Sequence, residues 1–221
     1  YATIRFDISG VGDSRPPRDA LPFRQQPVLD IKAAMDHLQD RCQLKQFGLY
    51  GICAGAMNGY AAALGDERVV GLFMFDGYAF PTGKASLVRF VSNWRGRSLR
   101  HVLGAVRNRM RRVLVGSWMK KDGNPAALAP PAASTHPTKE RFAVDLQTLI
   151  GRGARVVSLY SGSVFEEYSY QGQLSDAFKG HSFLTQMTCH YAPTVDHLVT
   201  PLEAQRHLIE LIEDWAGDTF E

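Results

Sequence analysis

A ten-residue stretch in the first quarter of the chain restricts the fold more than any other feature. Residues 47–56 read FGLYGICAGA, which is an apolar segment, then Gly-x-Cys-x-Gly, then small residues. This pattern predicts a β-strand, a sharp turn and a helix that packs closely on a sheet. A side chain at Gly51 or Gly55 is expected to collide with backbone in the turn. The turn therefore exposes Cys53 at a helix N-terminus, where the helix dipole favours a thiolate.

Four other segments also predict strands. Residues 2–8 are rich in β-branched and aromatic side chains, 69–75 form a continuous apolar run, 154–160 is mainly apolar, and 186–191 is a short segment before the histidine loop. A continuous apolar run suits a central parallel strand that is covered on both faces. Helical patterns separate most of these strands. The alternation predicts a mostly parallel α/β sheet with helices on both faces.

The last predicted helix starts near residue 200. Thr200 is the expected N-cap, Pro201 the first helical residue and Glu203 the second member of a capping box. Four apolar residues at helical spacing predict its buried face: Leu208, Leu211, Ile212 and Trp215.

Residues 83–141 interrupt the alternation of strands and helices. From Lys84 to Lys121 there are eleven Lys or Arg residues and no acidic residue, although the net charge of the chain is only +3. Interleaved apolar residues predict an amphipathic helical lid. A run of basic residues can be simply the solvent-exposed face of a helix, with no role in binding. The absence of acidic residues favours instead a face that binds an anionic partner. We therefore divide the chain into a core of 1–82 and 142–221 and a basic lid of 83–141.

Composition limits the other possibilities. The 221 residues, 45% of them hydrophobic, predict one globular domain with an insertion. No apolar run approaches the ~20 residues that span a bilayer. Cys42, Cys53 and Cys189 have no metal-ligand spacing, which predicts free thiols in a reducing, cytoplasmic setting and no metal site. No nucleic-acid motif is present, and no cofactor is expected.

The order of the landmarks along the chain resembles the α/β-hydrolase superfamily. The strand at 2–8 runs into Asp-x-x-Gly-x-Gly-x-Ser (Asp7 to Ser14), the Gly-x-Cys-x-Gly turn follows, and a histidine loop follows the last strand. The elbow GICAGA resembles the Cys-nucleophile branch that includes the exosortase-system-associated hydrolases. Release-type thioesterases of polyketide and nonribosomal-peptide assembly are a looser resemblance. The resemblance implies Cys53 as nucleophile, His197 as general base and the Ala54 N–H as an oxyanion donor.

The resemblance leaves the acid of the triad open. The family usually places it after the strand that precedes the histidine strand, where this chain reads SGSVFE (residues 161–166) without Asp. Asp76 ends the strand at 69–75, a position that assembly-line thioesterases use, and it is the favoured acid. Glu166 is the alternative. Either residue would orient His197 and stabilise its imidazolium form.

The expected reaction is acyl transfer, or hydrolysis of a thioester or ester, through an acyl-cysteine intermediate. Ile52, Tyr78 and Trp94 are assigned to substrate binding. The basic lid fits an anionic acyl donor, such as a carrier-protein or coenzyme A thioester. The alternative function is a non-catalytic binding protein that docks an acidic partner through the lid, with the displaced acid at residues 163–164 as the mark of a degraded triad.

The family fold also has a strand between the one at 2–8 and the elbow strand, and the loop after it supplies the second oxyanion donor. No such strand precedes Tyr1. We therefore expect the chain to be a portion of a longer protein, with ~60–80 further residues at its N-terminus by the usual size of such domains.

Overall fold

The computed structural model describes residues 2–17, 25–94 and 136–221. The first described elements are α1 (Gln25–Cys42), β1 (Phe47–Ile52), α2 (Ala54–Gly65), β2 (Val69–Phe75) and α3 (Gly83–Trp94). The second group is α4 (Lys139–Gly151), β3 (Arg155–Ser161), α5 (Gln173–Ala177), β4 (Thr188–Ala192) and α6 (Leu202–Phe220). Short 3₁₀ turns occur at Gly162–Val164 and Ser182–Thr185.

The four strands form one parallel sheet in the order β1-β2-β3-β4. At its carboxyl edge, Ile52 pairs with Phe75, Phe75 with Leu159, and Leu159 with His190. The segments that leave these strands therefore start side by side at one edge of the sheet, which is where open α/β sheets bind ligands. The predicted parallel sheet with helices on both faces is confirmed.

Each face of the sheet has its own hydrophobic core. On one face, Tyr60 of α2 and Phe142 of α4 join Leu72 of β2 in a large cluster. On the other face, Phe73 and Phe75 of β2 pack with Trp215 of α6. Strand β2 is buried along almost its whole length, as its continuous apolar run predicted.

Helix α6 lies unusually close to the first two strands because they carry glycine beneath it. A Cβ atom at Gly71 would lie 2.7 Å from Thr219 Cγ2 and 2.8 Å from Trp215 Cζ2. A Cβ atom at Gly48 would lie 2.9 Å from Trp215 Cη2. The Trp215 indole N–H donates to the Arg155 carbonyl oxygen at 3.2 Å, which ties the helix to β3 as well.

The predicted strand over residues 2–8 is wrong. These residues have no regular secondary structure and are mostly exposed. A strand needs a neighbour for its backbone hydrogen bonds, and among the described residues the sheet starts at β1, with no ladder to 2–8. The turn that follows does form, since Ser14 Oγ donates to the Asp7 carbonyl oxygen at 2.6 Å. The expected further strand between 2–8 and β1 stays a prediction.

The predicted capping of α6 is also wrong, although its buried face is confirmed. The helix starts at Leu202 with Pro201 as the cap, and the cap makes no side-chain hydrogen bond. The Thr200 hydroxyl instead donates to Asp196 Oδ1 at 3.2 Å. The same carboxylate accepts from the N–H groups of Leu198 (2.9 Å) and Thr200 (3.1 Å). Thr200 does not cap the helix because the cap position falls one residue later, at Pro201, whose side chain has no hydrogen-bonding group.

Most of the predicted lid lies outside the described residues. Helix α3 forms its beginning, and α4 starts at Lys139, before the boundary expected at residue 142. The basic residues from Arg95 to Lys121 are not among the described ones, so the division into core and lid stays a prediction. Within the described ranges, no helix combines the length and apolarity needed to cross a membrane.

Candidate active site

Cys53 lies in the turn between β1 and α2, in a strained backbone conformation. Its φ of 53° and ψ of −113° are unusual for a residue with a side chain. The conformation is held by hydrogen bonds on both sides, from the Cys53 N–H to the Phe75 carbonyl oxygen (2.8 Å) and from the Met57 N–H to the Cys53 carbonyl oxygen (3.1 Å). The residue is exposed. The predicted elbow geometry is therefore present.

The two elbow glycines do not have equal roles. A Cβ atom at Gly51 would lie 2.3 Å from the carbonyl carbon of Gly55 and 2.6 Å from Ala56 N, which confirms the expected collision at Gly51. Apart from its chain neighbours and the nearby backbone of its own helix, a Cβ atom at Gly55 would meet no described atom within 4 Å. The expected collision at Gly55 is therefore wrong. The crowding arises because the backbone of Gly55 fills the space where a side chain at Gly51 would stand.

Ala54 is the first residue of α2 and is exposed. The first N–H groups of a helix have no acceptor within the helix. Ala54 therefore has a backbone N–H without an acceptor in the helix, directly after Cys53.

Asp76 follows β2 beside the elbow. Ile52 and Phe75 are paired at the ends of β1 and β2, and the Cys53 N–H donates to the Phe75 carbonyl oxygen, so Cys53 and Asp76 follow neighbouring strand ends. Asp76 also has a positive φ, of 50°. Its N–H donates to the Leu159 carbonyl oxygen at 2.8 Å, and its side chain is 0% exposed.

The buried Asp76 carboxylate has three hydrogen-bond partners. Oδ1 accepts from the Ser161 N–H at 2.7 Å, and Oδ2 accepts from Ser161 Oγ at 2.7 Å. The third partner is His197, whose Nδ1 lies 2.7 Å from Oδ2. A charged carboxylate tolerates burial only when it is paired and hydrogen-bonded in this way. Because Nδ1–H donates to the carboxylate, Nε2 is the ring nitrogen left to accept a proton.

His197 is held at the backbone as well as at the ring. It follows β4, and its N–H donates to Ser163 Oγ at 2.9 Å. Its ring centroid lies 6.3 Å from that of Phe75, the residue before Asp76. The imidazole is 36% exposed, so the ring has one nitrogen on a buried acid and an open side toward solvent.

Glu166, the alternative acid, lies elsewhere. It is exposed in the loop after β3, and its backbone carbonyl oxygen accepts a hydrogen bond from the Arg89 guanidinium. Among the described contacts, the carboxylate that reaches His197 is that of Asp76.

The three residues assigned to substrate binding have different surroundings. Ile52 is 37% exposed directly before Cys53. Trp94 is half-buried at the end of α3, with its ring centroid 4.8 Å from that of Phe90. Tyr78 is 3% exposed, and its ring packs against Tyr60 at 5.3 Å. The structure gives Tyr78 a place in the core, and a substrate reaches this ring only if the neighbouring aromatic rings move.

Sequence reasoning missed Ser161 and Ser163. It interpreted SGSVFE only as a loop that lacks an acid, whereas Ser161 binds the acid of the neighbouring strand. The available signal was a serine at the end of a predicted strand, at the edge of the sheet where ligands bind. For metal binding, the described residues contain no group of three or more His, Cys, Asp or Glu side chains placed to hold an ion.

No protein-family model and no curated protein matches the chain. Among solved structures, the chain is similar to one from work on carboxylesterases of the ammonia-oxidizing thaumarchaeon Nitrososphaera gargenis. The two share 14% sequence identity over 86% of this chain and 73% of that chain, with a TM-score of 0.40. The fold class is given by the geometry described above: a parallel sheet flanked by helices, with a strained elbow after one strand and a histidine loop after the last. This is an α/β-hydrolase type of fold.

Proposed function

We propose that the protein is a cysteine-nucleophile hydrolase or acyltransferase, with Cys53 as nucleophile, His197 as general base and Asp76 as acid. The observation that carries the proposal is the 2.7 Å hydrogen bond between His197 Nδ1 and a fully buried carboxylate, next to the strand end that bears Cys53. A base held by a third group beside an exposed nucleophile is the arrangement that nucleophilic catalysis needs.

In the proposed reaction, His197 Nε2 takes the proton of the Cys53 thiol. The thiolate attacks the carbonyl carbon of an ester or thioester, and the Ala54 N–H stabilises the resulting oxyanion. The C–O or C–S bond to the leaving group breaks, and the departing alcohol or thiol takes the proton from Nε2. Water, an alcohol or an amine then attacks the acyl-Cys53 intermediate, transfers its proton through Nε2 and releases the Cys53 thiol. Asp76 holds the ring and stabilises its protonated form throughout.

Apolar side chains beside the two reacting groups support an apolar acyl group as substrate. Ile52 precedes Cys53, and Leu198, which follows His197, is 83% exposed. Apolar surface on both sides of the pair gains free energy when an acyl chain covers it. An anionic leaving group, such as a carrier-protein or coenzyme A thiol, is supported by the basic composition of residues 84–121 alone.

The binding-only alternative has less support. It expects a degraded triad, whereas Asp76 is buried with three hydrogen bonds. Burial of a charged carboxylate beside a partly exposed histidine costs desolvation energy. Binding of an acidic partner through the lid does not need this pair, whereas catalysis does.

The test uses p-nitrophenyl acetate and intact mass spectrometry. We expect the wild-type protein to gain one acetyl group during turnover and Cys53→Ala to gain none. His197→Ala should slow acylation by two or more orders of magnitude, because the thiol loses its base. Cys42→Ala is the matched control, since Cys42 is also an exposed thiol. An adduct that persists in Cys53→Ala and disappears in Cys42→Ala would refute the assignment.

A further inference from the structure

We infer that Ser161 is a positioning residue for the Asp76–His197 pair and acts through a closed ring of hydrogen bonds completed by Ser163. The inference rests on the proposed function of that pair. Ser161 touches no reacting atom; it acts by fixing where the Asp76 carboxylate points.

The ring has four members, each bonded to the next. Ser161 Oγ donates to Asp76 Oδ2 at 2.7 Å, and the Ser163 N–H donates to Ser161 Oγ at 3.2 Å. The His197 N–H donates to Ser163 Oγ at 2.9 Å, and His197 Nδ1 returns to Asp76 Oδ2 at 2.7 Å. The histidine is therefore held at two points, its ring by Asp76 and its backbone by Ser163. The Ser161 hydroxyl both accepts and donates, so its two hydrogen bonds polarise and strengthen each other.

Ser161 is chemically suited to this position because its hydroxyl is both donor and acceptor. It is fully buried, as is the Asp76 side chain, so water cannot replace a lost contact without repacking. In Ser161→Ala, Asp76 Oδ2 loses one of its two hydrogen bonds and keeps the one to His197, and the Ser163 N–H loses its bond to Ser161 Oγ. Ser161 also supplies two of the three hydrogen bonds of the carboxylate, through Oγ and through its own N–H.

The two bonds from Ser161 fix the rotation of the carboxylate. The N–H binds Oδ1 and the hydroxyl binds Oδ2, so the carboxyl plane is held at both oxygens. Oδ2 is the oxygen that faces His197 Nδ1. Without the hydroxyl, Ser161 holds the carboxylate only at Oδ1, and Oδ2 keeps only its hydrogen bond to His197, so the carboxylate can turn away from the imidazole more easily.

The backbone around Ser161 is equally constrained. The Gly162 N–H donates to the Val195 carbonyl oxygen at 2.9 Å. A Cβ atom at Gly162 would lie 2.1 Å from the Pro193 carbonyl oxygen, so only glycine fits between Ser161 and Ser163. The segment after β3 is thus clamped on the segment that leads from β4 to His197. The loop after β3 has no acid at the usual triad position. It instead holds in place Asp76, which follows β2.

The experiment compares Ser161→Ala with Ser169→Ala as the matched control. Ser169 is also buried and also donates its hydroxyl, to the Phe165 carbonyl oxygen at 2.7 Å, but it lies outside the ring. The first measurement is the low-field proton resonance of His197 Nδ1–H by NMR, which reports the hydrogen bond to Asp76 and needs no substrate. The second is the steady-state hydrolysis of p-nitrophenyl acetate.

For Ser161→Ala we expect an upfield shift or broadening of the Nδ1–H resonance. We also expect kcat to fall about 10-fold to 100-fold with KM unchanged, the size of one lost hydrogen bond to a charged group. Ser169→Ala should lose comparable stability and leave both measurements at wild-type values. Ser161→Cys, whose thiol is somewhat larger than the hydroxyl and donates weakly, should fall between wild type and Ser161→Ala. It also serves as the test variant if Ser161→Ala does not fold.

The inference would be overturned if the Nδ1–H resonance of Ser161→Ala matched that of the wild type and its kcat were no lower than that of Ser169→Ala. The two proposals fail separately. If the resonance shifts but the wild-type protein hydrolyses no ester, the ring is supported and the proposed function fails. If the wild-type enzyme is active and Ser161→Ala changes neither measurement, the function stands and Ser161 is only structural.

Discussion

Asp76→Asn is the substitution that separates the two candidate acids most directly. Asparagine has nearly the same shape, and its amide oxygen can still accept from the Ser161 N–H, which lies 2.7 Å from Oδ1 in the wild-type protein. Its amide NH₂ then faces the Ser161 hydroxyl and His197 Nδ1, where Oδ2 now stands. Because the amide donates to Nδ1, the imidazole must carry its proton on Nε2. A ring in that tautomer cannot take the proton of the Cys53 thiol.

The size of the effect follows from that tautomer change. In serine enzymes with this arrangement, an equivalent substitution costs about 10⁴-fold in kcat. A thiol is more acidic than a hydroxyl and needs less help from the base, so we expect a loss of about 10²–10³-fold, or ~3–4 kcal/mol in transition-state stabilisation. KM should stay within about twofold. The folded state should lose about 1–3 kcal/mol from the weakened buried network, so kinetics must be measured well below the melting temperature.

The assay is steady-state hydrolysis of p-nitrophenyl acetate at pH 7, with circular dichroism melting as the check on folding. Glu166→Gln is the control, because Glu166 is exposed and its described contact is made through the backbone. We expect the control to match the wild type within about twofold. A wild-type rate in Asp76→Asn together with a loss of two orders of magnitude in Glu166→Gln would show that the argument from the hydrogen bond is wrong.

Three further predictions concern stability. Gly51→Ala should destabilise the protein by about 3 kcal/mol in chemical denaturation, because its Cβ would lie 2.3 Å from the Gly55 backbone. Gly55→Ala should stay within about 1 kcal/mol of wild type. Equal losses in the two variants would contradict the steric argument. Burial raises the pKa of the Cys189 thiol to about 11 from 9.0, so an unfolded chain loses this proton first. The contribution of this thiol to the free energy of unfolding is therefore fully present below pH about 9. It falls by roughly 3 kcal/mol in total as the pH rises to about 11. Cys189→Ala should lack that part of the decline in a pH series of denaturation curves, and identical slopes in both proteins would refute it. Gln173→Leu should cost about 2–4 kcal/mol in the same assay, because Gln173 is fully buried and bonds the Ser169 N–H and two backbone carbonyl oxygens; a melting curve like that of the wild type would refute this.

Local physics explains what the sequence predicted well. The elbow at Gly51 depends on contacts within a few residues, so a short pattern is enough to find it. The run of apolar residues in β2 and the apolar stripe of α6 each fix a buried face through the period of a single element. For the same reason, errors occurred where a partner outside the element decides the outcome. Residues 2–8 have strand-forming side chains, but a strand also needs a neighbour.

The surroundings of the candidate site depend on residues that are far apart in the chain. Asp76 and His197 are 121 positions apart, and Asp76 and Ser161 are 85 positions apart. The sequence favoured Asp76 but left Glu166 as an alternative, because both residues follow strands of one sheet. The order and register of those strands place the ends of β2 and β3 side by side and bring the loop after β4 across them.

The sequence alone therefore determined the parallel sheet, the elbow and the exposed thiol at Cys53, because each follows from steric and hydrophobic patterns within one segment. The tertiary structure decided which carboxylate meets His197 and which serines hold it. A buried charge is stable only where several donors converge on it. Those donors come from separate strands, and their convergence is a property of the packed sheet that no single segment contains.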